Sequence, residues 1–131
     1  MIHIKATVKG EPDTAPFTQT FLYADKSDER VFYKSWEMIK EKLDKKLRIN
    51  VNESLIIYCA YVVSEVRAHK PVRAIEKNAQ KILPASNVMI GVPETLTKIT
   101  FEAKIDKLPK TWITLKEPIP RSNYILAPKN W

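Results

Sequence analysis

Glycine is nearly missing from this chain, at two residues in 131. So few residues tolerant of positive φ leave no Gly-rich loop to cradle a phosphate, and nucleotide-loop chemistry is excluded. Cysteine is scarcer still: Cys59 stands alone, so no internal disulfide can form. Its place in an apolar run marks a buried thiol rather than a nucleophile. His3 and His69 are the two histidines, and no His, Cys or carboxylate pair has metal-ligand spacing. Ser54, Ser64 and Ser86 lie in no nucleophile motif. Glu53 reads as a helix cap and Glu102 as the exposed side of a strand. The chain is therefore expected to hold no catalytic, cofactor-binding or metal-binding residue of its own. Long hydrophobic runs are also lacking, since residues 55–63 cover about half of a membrane span. The opening MIHIKATVKG alternates and has no signal-type apolar core. The expectation is a soluble, cytoplasmic protein with no membrane partner. Nine prolines against those two glycines point to stiff connections.

What is abundant is positive charge. Lysine and arginine outnumber aspartate and glutamate 22 to 15, for a net charge of +7 and a sequence pI near 9.5. Such a balance suits nucleic acid, an anionic membrane or an acidic partner subunit. Acids are interspersed, however: Glu41 and Asp44 sit among Lys40, Lys42, Lys45 and Lys46. The charge is therefore read first as solvated helix face. Trp36, Trp112, Trp131, Tyr58 and Tyr61 are the aromatic residues that stacking on nucleic acid would use. Trp36 falls on the apolar stripe of a helix, so core or interface packing is the better reading, and nucleic acid is not the expected partner.

The periodicities give an α+β chain. Ile2, Ile4, Ala6 and Val8 alternate with polar residues and predict a strand with one buried face. Residues 10–16 make a loop, and residues 17–23 a second strand. Phe32, Trp36, Ile39, Leu43 and Leu47 form one stripe of an amphipathic helix over residues 27–47. Asn50 opens the next helix, with Glu53 placed to close a capping box. Leu55, Cys59, Val62 and Val66 share its face with Ile56 and Val63. Pro71 suits the first turn of a third helix with a stripe of Val72, Ile75, Ala79 and Ile82, ended by Pro84. Ser86 is expected to cap a short fourth helix holding Val88 and Met89, broken by Gly91 and Pro93. Thr97, Ile99, Phe101, Ala103 and Ile105 line one side of a strand. Residues 106–110 turn the chain, and Ile113 and Leu115 mark the return strand. Because an unpaired strand is marginal in water, the N-terminal strand should add to a sheet, beside this hairpin or with a neighbouring subunit. The tail, with Tyr124, Ile125, Leu126 and Trp131, has too few spaced apolar residues to fold alone and reads as partner-seeking.

Val88, Met89, Gly91, Val92 and Glu94, followed by Glu102-Ala103 on a strand and then Pro118-Ile119, resemble the C-terminal part of a urease gamma subunit. The likeness extends upstream without a gap to Leu22. Asn50 and Glu53 fall on that family's helix start, Val62, Val63 and Arg67 on its V-V-x-x-x-R, and Val72 and Ile75 on the next helix. The chain departs from the pattern in three places. Leu22-Tyr23-Ala24-Asp25-Lys26 replaces L-T-P-R-E, the turn at residues 106–109 is one residue longer, and Arg67-Ala68-His69 stands where the family has R-D-G. The resemblance implies a small bundle of about four helices with a C-terminal antiparallel β-hairpin, plus the N-terminal strand. It implies three segments: an N-terminal extension with one strand over residues 1–21, a urease-gamma-like domain over 22–119, and an extended tail over 120–131. It implies a non-catalytic gamma-type subunit of a urease or urease-like amidohydrolase complex that hydrolyses urea to ammonia and carbamate. Its partners would be alpha- and beta-type subunits in a trimeric assembly of heterotrimers, with two nickel ions on the alpha-type chain and none here. The rival readings are a basic nucleic-acid-binding module and a urease-gamma-like fold reused as a scaffold.

Overall fold

The computed structural model describes residues 1–11 and 15–120; the tail residues singled out above lie outside the described residues. Ten elements follow in order, eight of which carry the architecture: β1 (Ile2–Lys9), β2 (Phe17–Tyr23), α1 (Lys26–Asp44), α2 (Val51–Arg67), α3 (Val72–Asn78), α4 (Val92–Thr95), β3 (Lys98–Ile105) and β4 (Thr111–Lys116). Two 3-10 turns, Ala79–Lys81 and Ala85–Asn87, link α3 to α4. The strands make one antiparallel sheet in the order β2-β1-β3-β4. The helices cover one of its faces.

The N-terminal strand is thus central, flanked by β2 and by the first strand of the C-terminal hairpin. Its register follows from its alternation. Ile2 pairs with Ile105, Ile4 with Ala103, Ala6 with Phe101 and Val8 with Ile99, and all eight side chains are buried. A slip by one residue would turn the whole apolar set to solvent and bring the polar set inside, so the pattern fixes the pairing.

Under the sheet runs α2. Its buried residues include Leu55, Ile57, Tyr58, Cys59, Ala60, Val62 and Val63, so it is apolar around most of its circumference, as a helix packed on both sides must be. It starts with the expected capping box: the Asn50 side chain accepts from Glu53 N–H at 2.8 Å, and the Glu53 carboxylate accepts from Asn50 N–H at 3.1 Å. The Tyr58 hydroxyl donates to the Pro118 carbonyl at 3.2 Å inside the core, which fastens the chain end after β4 to the central helix.

Three expectations need correction. The first helix stops at Asp44, short of Leu47, which is 52% exposed. Lys46 takes a left-handed φ of 60°, and its N–H and that of Leu47 turn back to the carbonyls of Leu43 and Lys42, closing the helix as a Schellman motif. The third helix ends at Asn78 and tightens into a 3-10 turn instead of running to Pro84. The fourth helix lies after Gly91, not around Val88. Ser86 makes no side-chain cap, and Val88 pairs with Ile49 in an isolated parallel bridge. Gly91, at φ 95°, is the residue that precedes α4, a conformation glycine adopts without steric cost.

Candidate interaction surface

The residues with a possible chemical role are mostly occupied by structure. The Cys59 thiol is buried on α2, and burial pushes its pKa up, so a thiolate is disfavoured. Ser54 is buried and its hydroxyl donates to the Asn50 carbonyl at 2.8 Å. Partial burial works against the Glu53 carboxylate, but a hydrogen bond from Lys42 and one from Asn50 N–H hold its pKa below the usual range. Burial, with Glu65 nearby, pushes the Tyr61 hydroxyl up to about 12, and it donates to the Ile75 carbonyl at 2.6 Å. Among the described residues no group of three or more His, Cys, Asp or Glu is placed to hold a metal ion.

Arg67 organises a polar cluster that composition and periodicity did not reveal. Its guanidinium donates to both Asp106 carboxylate oxygens at 3.0 Å, to Glu29 Oε1 at 2.8 Å and to the Tyr33 hydroxyl at 3.4 Å. It therefore ties α2 to α1 and to the β3–β4 turn. The bidentate Arg67 contact, joined by the α-ammonium of Met1 at 3.1 Å, holds the Asp106 carboxyl below the usual carboxylate range. The same pairing raises the Arg67 pKa. Asp106 sits at a φ of 53°, in the left-handed region, inside the lengthened turn.

His69 is taken up by the end of α2. It follows the end of α2 at a φ of 58°, with its N–H directed to the Val66 carbonyl and Lys70 N–H to that of Glu65. It fills the left-handed position of a second Schellman motif, the place where the sequence comparison set His69 against a glycine.

The solvent face of the sheet carries much of the positive charge. His3, Lys5, Thr7 and Lys9 on β1 point away from the helices, as do Lys98, Thr100, Glu102 and Lys104 on β3 and Trp112, Thr114 and Lys116 on β4. Glu102 is paired with Lys110 at 2.9 Å. Trp112 is 59% exposed, with the Lys110 ammonium 5.9 Å from its ring centre. Trp36 differs: it packs against the core edge with Lys40 4.4 Å above its ring. Beside it a groove of about 310 Å³ runs between α1, α2 and residues 82–83, lined by Leu43, Ile57, Ala60, Tyr61 and Leu83. The alternation of lysine along β1 and β3 was visible in the sequence. That the two strands lie side by side was not.

No helix among the described residues is long and apolar enough to cross a membrane. The family model for "Urease, gamma subunit" matches residues 21–119. A urease subunit gamma of Halalkalibacterium halodurans is 34% identical over 92 residues, covering 70% of this chain and 91% of that protein. A urease subunit alpha of Helicobacter heilmannii is 26% identical over 102 residues, 77% of this chain and 43% of that protein, so the chain spans less than half of this second relative.

Proposed function

The chain belongs to the urease gamma-subunit family, as a non-catalytic subunit of a urease complex, and from that premise we propose that it contributes interface and framework while the reaction occurs on a partner. The observation that carries this is the state of its own donor groups. Asp106 and Glu29 are taken up by Arg67, Glu53 by Lys42 and a helix start, and the Cys59 thiol is buried and protonated. His3 stands on the sheet face beside lysines and His69 closes a helix. These residues do not fit a nickel centre, which needs several unencumbered nitrogen or oxygen donors converging on one point. In this proposal the two nickel ions belong to an alpha-type partner, and urea is hydrolysed there to ammonia and carbamate.

The finer assignments extend the same reading. Alpha- and beta-type subunits are the partners, the units close into a trimer of heterotrimers, and the assembly works in the cytoplasm. Residues 22–119 form the gamma-like domain. Residues 1–21 extend it by completing its sheet. The test is direct. The purified isolated chain, titrated with nickel and assayed with urea, binds no stoichiometric metal and shows no turnover. Nickel bound one-to-one, or turnover by this chain alone, overturns the reading.

A further inference from the structure

The sheet face places like charges where they repel. Lys9 lies opposite Lys98, and Lys98 opposite Lys116, so three strands end in a continuous row of lysines. Like charges at directly opposed positions destabilise a sheet. Among the described residues none of the three has a carboxylate within ion-pair distance, and neither do Lys5 and Lys104 on the same face. With Lys110 and Glu102 cancelling, the described residues of the face carry a surplus of five positive charges, against +7 for the whole chain. The long α1 behind it has its basic residues interleaved with Asp28, Glu29, Glu37, Glu41 and Asp44. The described sheet face thus carries a dense cluster of unpaired positive charge, while α1 is balanced. At its lysine end an open groove of about 600 Å³ is lined by Glu76, Lys77, Gln80, Lys98, Thr114 and Lys116.

We propose that this open sheet face, centred on Lys9, Lys98 and Lys116, docks an acidic surface of a partner protein chain; the proposal rests on the subunit reading above. Carboxylates facing the row relieve its repulsion, and the groove admits acidic side chains between Lys77, Lys98 and Lys116. The approach is face-on, because the free edge of β4 is already closed. Thr114 N–H donates to the Glu76 carboxylate at 2.7 Å, and the Gln80 amide donates to the Lys116 and Glu117 carbonyls at 3.5 and 3.4 Å. The face favours an acidic protein over single-stranded nucleic acid because, among the described residues, it offers one exposed ring, Trp112, where a stacking platform needs several.

The test measures binding of the full chain to the remaining chains of its complex, purified without it, alongside a single-stranded DNA oligonucleotide. The triple variant Lys9→Gln, Lys98→Gln, Lys116→Gln removes the repulsive row, so the isolated chain should melt at the same temperature or higher while binding its partners about 10-fold more weakly. Charge reversal to Glu at the three positions should weaken binding about 100-fold, and replacement by Arg should preserve it. Wild-type affinity should fall as salt rises from about 50 to about 300 mM. A control triple on α1, Lys26→Glu, Arg30→Glu, Lys34→Glu, should have a smaller effect. Wild-type binding that the sheet-face variants leave unchanged overturns the proposal and leaves the subunit reading standing. Lysine-dependent binding of the oligonucleotide with unaffected partner binding overturns it in favour of nucleic acid. Failure of the wild-type chain to bind the other chains at all removes the subunit reading, and the proposal with it.

Discussion

Replacing Arg67 with Met tests whether one side chain holds three elements together. The substitution keeps most of the aliphatic stem and deletes the charge and its donors. Asp106 loses its bidentate partner, yet its side chain is 44% exposed and the Met1 ammonium stays 3.1 Å away, so this loss is small. Glu29 is the costly member. Its side chain is 12% exposed, its contact with Arg67 is 2.8 Å, and the alternative partner, the Met1 ammonium, is 3.5 Å away. A fully buried charge stripped of its partner costs about 3–5 kcal/mol and an exposed one about 0–1, so a half-buried pair should cost about 2 kcal/mol. With an unfolding entropy of about 2.1 cal/mol/K per residue, that is a fall in Tm of about 7 °C at neutral pH. The pH dependence has a definite sign. Asp106 has a lowered pKa in the folded state, so the unfolded chain binds its proton more readily. Its contribution is complete above the unfolded aspartate pKa of about 3.9 and fades as pH drops through the folded value. The small Asp106 share of the Tm gap between wild type and Arg67→Met should therefore disappear below about pH 4, narrowing the gap slightly. Thermal unfolding of both proteins from pH 7 downward checks this. A gap under about 1 °C at pH 7 would refute the reasoning.

Other perturbations probe separate parts of the argument. Val62→Asp puts an unpaired charge into the fully buried side of α2 and should cost about 3–5 kcal/mol in urea denaturation, with an unchanged midpoint as the contrary result. Asn50→Ala opens the capping box at α2 and should cost about 1 kcal/mol by the same assay. His69→Gly should stabilise the chain by about 1 kcal/mol, because it relieves a side chain at φ 58°; a destabilised variant would mean that the imidazole makes a contact worth more than the strain.

Much of this fold can be read from the chain because its patterns are unusually unmixed. The strict alternation of Ile2, Ile4, Ala6 and Val8 sets both the strand and its register, and Asn50 with Glu53 marks the start of α2 to the residue. The places that resisted reading are those where backbone conformation departs from residue preference. Lys46 carries no signal for the left-handed φ that stops α1, so the apolar stripe reads on to Leu47. Gly91 looks like a helix breaker, yet its φ of 95° introduces α4. The candidate surface was hidden for a different reason. Lys9, Lys98 and Lys116 become neighbours only when β1 inserts beside β3, and Arg67 meets Asp106 only when the β3–β4 turn folds back on α2. Local periodicity reports which side of a strand is wet, but it does not report what stands next to it.

The central claim is that this chain works as a subunit whose chemistry is done elsewhere. Purification of the native complex through this chain, followed by native mass spectrometry with nickel and urea-hydrolysis assays on each fraction, tests it most directly. The account predicts that the chain comes down with larger urease-type chains, and that nickel and activity follow those chains when this one is removed. A chain that purifies alone from cells making the complex, or one that retains nickel and activity after its partners are stripped away, would contradict it.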